Sequence, residues 1–186
     1  MNKKVLVHEK YSRYQAVMEE MAHLQFKRGG RQDGFKCLHC KREVPADNFL
    51  SHVQNRNHCP WCLWSRHLDL HAAGDRLCAC KGAMRPAALT LKRQHKKYVR
   101  LGSGELMLVH LCEECGKVSI NRIAADDRTD LLLEVFQASL RLAPEVRGFL
   151  EGGEVRILNG ADRTLVLSRL GDTMVEHLPL EGLLAV

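Results

Sequence analysis

The 186-residue sequence has no apolar run that approaches the roughly 20 residues needed to cross a lipid bilayer. Its first residues also lack the apolar core of a secretory signal, because Lys3, Lys4 and Glu9 interrupt them. Apolar residues nevertheless make up 45% of the chain and charged residues 27%, a balance typical of folded proteins rather than disordered ones. We therefore expect a soluble, cytoplasmic protein of one domain or two small ones, with no membrane partner.

The eight cysteines fall in four close pairs, and this grouping is unlike the scattered cysteines of a secreted disulfide framework. A pair at two-residue spacing presents two sulfurs to one metal ion, and two such pairs complete the tetrahedral coordination of Zn²⁺. The sequence therefore predicts two structural zinc ions as cofactors. Eight thiolates and two Zn²⁺ would lower the formal net charge from +6 to +2. The pairs are Cys37 and Cys40, Cys59 and Cys62, Cys78 and Cys80, and Cys112 and Cys115.

Two of the pairs have the composition of zinc knuckles, the tight Cys-x-x-Cys turns that grip a metal ion. In Cys59-Pro60-Trp61-Cys62 the proline presets the backbone φ angle, and in Cys112–Cys115 the following Gly116 suits a left-handed conformation. Leu63 stands where the second knuckle would be expected to have a glycine.

The stretch Asn55–Ser65, which includes Arg56-Asn57-His58-Cys59-Pro60, resembles the signature of the RNHCP domain family. Further motifs agree in order, and the resemblance covers roughly residues 35–133. It implies membership of a zinc-ribbon-like family without implying an activity. The further motifs are Phe35–Cys40 with Pro45, His67-Leu68-Asp69, Gly74-Asp75-Arg76, Cys80 to Pro86, His110 to Cys115, and Asn121–Ala124 with Asp126-Asp127.

The assignment of ligands to two zinc ions leaves one position open. We predict one site from the first two pairs, Cys37 with Cys40 and Cys59 with Cys62, and a second from Cys78, Cys80, Cys112 and Cys115. Spacing alone treats Cys78 and Cys80 as equals. The family resemblance implies one cysteine in the third cluster, aligned with Cys80, so His67 is the rival of Cys78. An interleaved pairing of the knuckles is also compatible with the sequence.

The predicted fold class is α+β, a small zinc-ribbon-type β domain with a helical arm before it and a helix plus β meander after it. Residues 1–34 form the basic arm, with an amphipathic helix at roughly Glu9–Phe26. Residues 35–133 form the double zinc-ribbon domain. Residues 134–186 complete a helix that runs to about Leu142 before Pro144, and then add three strands. The expected strands are Glu154–Leu158, Thr164–Leu170 and Thr173–Leu178, with turns at Asn159-Gly160 and Gly171-Asp172.

Residues 81–100 carry seven lysines and arginines and no acidic residue. Ala87–Leu91 and Glu105–Leu111 are predicted strands, and Gly102–Gly104 is a predicted turn. Cations mixed with an aromatic ring are typical of RNA-binding surfaces. We therefore predict a partner that is structured RNA or a ribonucleoprotein, including the ribosome. The predicted nucleic-acid-binding residues are Lys92, Arg93, Lys96, Lys97, Tyr98, Arg100 and Arg122.

Two other functions are compatible with the sequence. A protein-interaction module would use the arm or the C-terminal meander. A zinc-dependent nuclease would use histidines such as His58, His67 or His71, but a zinc deaminase is excluded because its His-x-Glu and Pro-Cys-x-x-Cys signatures are missing. We expect that the protein is not an enzyme and has no catalytic residues.

The remaining motif residues are expected to have structural roles. Arg56 and Asn57 should cap a loop or pair with Asp126 or Asp127. His58 should form a hydrogen bond with the backbone, and Trp61 and Trp64 should pack in the core.

Overall fold

The computed structural model describes residues 34–45, 48–92, 104–152 and 155–171. Within these ranges the chain combines antiparallel sheets with helices, which confirms the α+β class. No helix in the described ranges is long and apolar enough to span a membrane. Residues 1–33 of the predicted arm lie outside the described residues.

A small two-stranded sheet carries the first cysteine pair. Strands β1 (Gly34–Lys36) and β2 (Glu43–Pro45) pair antiparallel, with Phe35 opposite Val44. The connection between them contains Cys37 and Cys40, so the hairpin presents both sulfurs at one end. A four-residue helix, α1 (Asn48–Ser51), follows.

A four-stranded antiparallel sheet forms the centre of the fold. Its strands neighbour one another in chain order: β3 (Ser65–Arg66), β4 (Ala83–Lys92), β5 (Glu105–Cys112) and β6 (Val118–Arg122). Strands β4 and β5 pair from Met84 opposite Cys112 to Lys92 opposite Glu105, which confirms the two strands predicted on either side of the basic segment. The register shifts between Pro86 and Ala88, where proline lacks the N–H that a regular ladder needs.

Helices cover both faces of this sheet. Helix α2 (Thr129–Ser139) and helix α4 (Arg163–Leu170) pack on one face, in a core that includes Leu63, Leu89, Leu108, Leu132, Phe136 and Val166. Helix α3 (Pro144–Glu151) packs on the other through Leu150, against Ala88, Val109 and Ile157. Strand β5 is therefore buried on both sides. Helix α2 crosses the predicted boundary at residues 133 and 134, so residues on both sides of that boundary share one core.

The predicted C-terminal meander is wrong over the residues that the structure describes. Residues 163–170 form helix α4, and Asn159 and Asp162 make a capping box at a short 3-10 turn that leads into it. Gly171, at φ 71°, ends the helix in a left-handed conformation. Asn159-Gly160 and Gly171 therefore cap helical turns instead of closing hairpins. Ile157 makes one isolated bridge with Thr90, and the third expected strand, Thr173–Leu178, lies outside the described residues.

Pro144 does not simply stop the preceding helix. Helix α2 ends at Ser139, and Pro144 is the first residue of helix α3, which the sequence analysis missed. Proline is well suited to this position, because its fixed φ fits a helix and the first helical N–H has no partner within the helix.

Candidate metal centres

Four cysteine sulfurs meet at the first candidate centre. The Sγ atoms of Cys37, Cys40, Cys59 and Cys62 all lie within 4.8 Å of one another. Cys37 Sγ is 3.6 Å from Cys62 Sγ, and Cys40 Sγ is 3.6 Å from Cys59 Sγ. A tetrahedron with Zn–S bonds of about 2.3 Å has edges of about 3.8 Å, whereas a disulfide would bring two sulfurs to about 2.05 Å. The spacing fits a zinc ion.

Three cysteine pairs share one backbone turn, which explains how each grips a metal ion. In each turn the residue after the second cysteine donates its N–H to the carbonyl oxygen of the first cysteine, over 2.8–3.1 Å. The N–H of the first cysteine bonds the carbonyl two residues after the second cysteine, at 2.9 Å in all three. This double closure defines a knuckle geometrically. The three turns are Cys37–Arg42, Cys59–Trp64 and Cys112–Lys117.

In all four cysteine pairs, the residue after the second cysteine has a left-handed backbone conformation. Gly116 fulfils the prediction with φ 72°, but the other three residues carry side chains. Leu63 adopts φ 61° although it is fully buried. The backbone conformation is therefore imposed by the metal turn and not by a choice of glycine. The remaining two residues are Lys41, at φ 63°, and Lys81, at φ 53°.

The second candidate centre contains a histidine. His67, Cys80, Cys112 and Cys115 offer ligand atoms that all lie within 4.8 Å of one another. Cys80 Sγ is 3.6 Å from Cys112 Sγ, and Cys115 Sγ is 3.3 Å from His67 Nδ1. A tetrahedral zinc with one nitrogen ligand requires a sulfur–nitrogen edge of about 3.6 Å. The donor set Cys₃His fits a second zinc ion.

Cys78 is not a member of this cluster, so the prediction that it ligates is wrong. Its backbone N–H bonds Leu68 O at 2.9 Å, while His67 N–H bonds Gly82 O at 2.9 Å. These two bonds fold residues 68–78 back as a loop and bring His67 beside Cys80. Cys78 is left as a buried free thiol. Spacing alone could not separate Cys78 from Cys80, whereas the family resemblance had pointed to His67.

The protonation state of His67 suits a metal ligand. Burial lowers the pKa of His67, and Lys117 and Lys81 add to this, so the ring stays neutral and keeps a lone pair. Its Nε2 atom is buried and has no hydrogen-bond partner among the described residues. Zinc at Nδ1, which lies 3.3 Å from Cys115 Sγ, would use that lone pair and leave the ring proton on Nε2.

The electrostatics of the first centre also fits a bound cation. The Cys59 thiol donates a hydrogen bond to the Cys37 sulfur, which raises the pKa of Cys59 far above its usual range, and Cys62 and burial add to this. Four thiolates packed this closely repel one another in a buried site. A divalent metal removes that repulsion, and in return the metal holds β1, β2 and the second knuckle together.

The residues of the Arg-Asn-His signature tie the second knuckle to the segment before helix α2. Arg56, whose side chain is fully buried, donates two bonds to Asp126, at 2.8 and 2.7 Å. His58 Nε2 lies 2.7 Å from Asp127 Oδ2, and the same oxygen accepts the Ala124 N–H. The expected pairing of Arg56 is confirmed. The partner of His58 is a carboxylate and not the backbone group that was expected.

A third buried histidine, His110, holds the left-handed Leu63, and the sequence analysis missed this contact. His110 Nε2 bonds Leu63 O at 2.7 Å, and the Asn121 amide lies 2.8 Å from His110 Nδ1. Full burial lowers the pKa of His110 to about 3, so the ring is neutral. His110 and Asn121 both belong to the motifs shared with the family. Their spacing did not reveal that they bond each other or that His110 bonds Leu63.

The two tryptophans pack around the first centre as predicted. Trp64 and Trp61 lie against the cluster of Cys37, Val44 and Cys59. Trp64 also stacks on His39 with ring centroids 4.2 Å apart, and the Arg42 guanidinium lies 5.4 Å from the Trp61 ring. Each indole ring therefore has a partner from the β1–β2 hairpin.

The predicted nucleic-acid-binding residues are described only in part. Lys92 is exposed at the end of β4. Arg122 ends β6 with its side chain 60% exposed, and it pairs with Glu105 at 2.9 Å. The other five predicted residues lie outside the described ranges: Arg93, Lys96, Lys97, Tyr98 and Arg100.

The fold and the two centres define the class of this protein. It is a zinc-ribbon-like α+β domain with two four-ligand sites that fit zinc. The RNHCP domain model matches residues 32–133, more than half of the sequence, and the chain belongs to that family. No curated protein and no solved structure matches the chain. Family membership thus agrees with the resemblance carried by the Arg56–Cys62 motif.

Proposed function

We propose that this protein binds structured RNA or a ribonucleoprotein, including the ribosome, and that its zinc ions serve stability rather than catalysis. The observation that carries the proposal is the direction of the β4–β5 hairpin. Its base, Met84 and Cys112, lies at the second metal centre, and its far end, Lys92 and Glu105, lies about 25 Å away at roughly 3.4 Å per residue. The acid-free basic residues continue from that far end.

A rigid base is useful to a phosphate-binding hairpin. The entropy lost when flexible side chains meet RNA is smaller if the strands that carry them are already fixed. Here both strands are held by the ladder, by cores on both faces and by a metal site at their base. The sheet therefore fixes Lys92, and in the sequence the cations of residues 93–100 follow it directly.

The geometry of the metal centres supports a role in stability. Each cluster offers four protein ligands, so a bound zinc would keep no open position for water. His58, a candidate for a nuclease mechanism, is buried against Asp127. We therefore infer that the protein is not an enzyme.

Copurification from native lysate, with and without RNase, tests the proposal. We expect RNA to accompany the full-length protein in untreated lysate and any ribosomal proteins to be lost after RNase. Binding of the purified protein to a structured RNA, followed by fluorescence anisotropy across a salt series, should show a steep loss of affinity with salt. A protein that retains no RNA under either condition contradicts the proposal.

A protein-interaction module is the second candidate, and exposed apolar side chains favour it. Phe49 is 80% exposed, Leu77 66% and Phe149 57%. Large exposed apolar groups of this kind mark protein contact sites when they cluster. One protein that stays bound after RNase treatment would favour this candidate over RNA binding.

A further inference from the structure

A cavity of about 490 Å³ opens at the far end of the hairpin. It lies between the ends of β5 and β6, the start of α2 and the end of α4. Its apolar wall includes Leu106, Ile123, Leu132 and Leu170, and Ala125 lies at its exposed side. This volume falls within the range of about 300–1,000 Å³ that small-molecule pockets occupy.

We propose that this cavity receives one unstacked nucleobase of a bound RNA strand. The proposal rests on the RNA-binding function and names the part of the RNA that is read. RNA is recognised largely in loops and single strands, where bases can turn out of the stack and be buried in protein. The apolar wall would cover the faces of the base, as side chains do in other single-strand sites.

The rim of the cavity provides the polar groups that the edge of a base requires. Arg122 and Arg169 offer N–H donors, and Glu105 offers an acceptor. Arg122 and Glu105 pair with each other at 2.9 Å, with side chains 60% and 40% exposed. An ion pair this exposed contributes little to stability, so its groups can turn to a ligand at small cost. A base edge presents donors and acceptors side by side, which matches this mixture.

The position of the cavity connects it to the basic segment. Glu105 lines the cavity and also faces Lys92 across the ladder. An RNA strand with a phosphate at Lys92 would have a neighbouring base within reach of the opening. Phosphate contacts would place the strand, and the cavity would read one base.

The test fills the cavity from its exposed side. Ala125→Trp places a ring into the opening without removing a core side chain. Ala161→Trp is the matched control, because Ala161 is also exposed and does not line the cavity. We expect Ala125→Trp to weaken binding of a short single-stranded RNA about tenfold, while the salt slope stays unchanged and duplex RNA binds as before. Ala161→Trp should bind like the unmodified protein.

A second measurement needs no variant. A single-stranded RNA with 2-aminopurine at successive positions, bound to the unmodified protein, should protect one position from acrylamide quenching. Uniform quenching at every position, or equal affinity of the two tryptophan variants, overturns the base pocket while leaving salt-dependent RNA binding in place. Absence of RNA binding by the unmodified protein overturns both proposals.

Discussion

At the scale of single residues, the clearest finding is that His67, and not Cys78, lies with Cys80, Cys112 and Cys115. Zinc affinity depends on every ligand of a closed site, whereas a buried thiol outside the site contributes only packing. The two positions of the Cys-x-Cys pair therefore differ in role although they are two residues apart.

We predict that Cys78→Ser retains two zinc ions per chain, while Cys80→Ser and His67→Ala each lose one. The reason is that both latter changes leave three ligands at the second centre. Native mass spectrometry of the purified variants measures the stoichiometry directly. Loss of zinc from Cys78→Ser, with His67→Ala keeping two ions, would return Cys78 to the ligand set.

Leu63 is a second residue with a sharp expectation, because two effects oppose each other there. Leu63→Gly would relieve a left-handed conformation that costs a side-chain-bearing residue about 1–2 kcal/mol. It would also remove a fully buried leucine, and truncating a buried leucine even to alanine costs about 2–5 kcal/mol. The loss of packing is larger, so we expect lower stability in chemical denaturation with zinc present.

Lys41 provides the matched control for Leu63. It has nearly the same φ, 63°, after the second cysteine of its pair, but its side chain is exposed. Lys41→Gly should therefore raise the free energy of unfolding by about 0.5–1 kcal/mol, after allowance for the greater freedom of glycine in the unfolded chain. Equal effects at both positions would show that burial of Leu63 contributes nothing.

At the scale of elements, the Arg56 network joins the second knuckle to the turn before helix α2. Arg56→Met would leave Asp126 and Asp127 without their buried partner, which costs about 3–5 kcal/mol. Arg85→Met is the control, because the exposed pair of Arg85 with Glu113, at 3.6 Å, should contribute at most about 1 kcal/mol. Urea denaturation measures both. Similar midpoints for the two variants would contradict a structural role for the network.

The basic segment at residues 81–100 is the part of the sequence on which the proposed function depends. Changing Lys96 and Lys97 together to Ala should weaken RNA binding and flatten the log–log salt slope by about one unit per lost phosphate contact. Tyr98→Ala should cost a further ~1–3 kcal/mol if its ring stacks on a base. Zinc content and melting temperature are the controls, and neither should change. Unaltered affinity at low salt would assign these cations to solubility.

The sequence was sufficient to predict the metal centres and two of the strands, but not the helix at residues 163–170. Cysteine pairs identified both metal centres because a metal ligand has few substitutes. The β4 and β5 strands were found because their apolar residues are continuous. The helix at residues 163–170 was missed because Asn159-Gly160 and Gly171 are favourable both in hairpin turns and at helix caps. Choosing between them required knowledge of which surface Val166 and Leu167 cover.

The choice of His67 was beyond pattern reasoning for a related reason. Its approach to the sulfurs depends on the fold of the loop at residues 68–78. There Asp75 accepts backbone N–H groups from four residues, and Asp69 accepts two. These bonds join residues only two to seven apart in sequence, but they follow no regular spacing that a pattern could reveal.

At the scale of the whole molecule, metal and fold are expected to be inseparable. The two clusters hold together segments from Cys37 to Cys115, and a structural zinc contributes on the order of 10 kcal/mol or more. Removing zinc with a chelator should therefore unfold residues 35–133, rather than trim one activity. Circular dichroism and zinc analysis of the same sample test this. A metal-free protein with an unchanged spectrum would show that the hydrophobic cores suffice.

The ligands of the two centres also follow one another along the chain without interleaving. The first centre closes over 25 residues, from Cys37 to Cys62, and the second over 48, from His67 to Cys115. Closing the longer loop costs about 0.6 kcal/mol more in chain entropy. The first centre can thus form while residues 105–115 are still being synthesised, whereas the second must wait for β5 and the knuckle after it. During translation, the protein would therefore acquire its zinc ions in a fixed order, with residues 37–62 folded first.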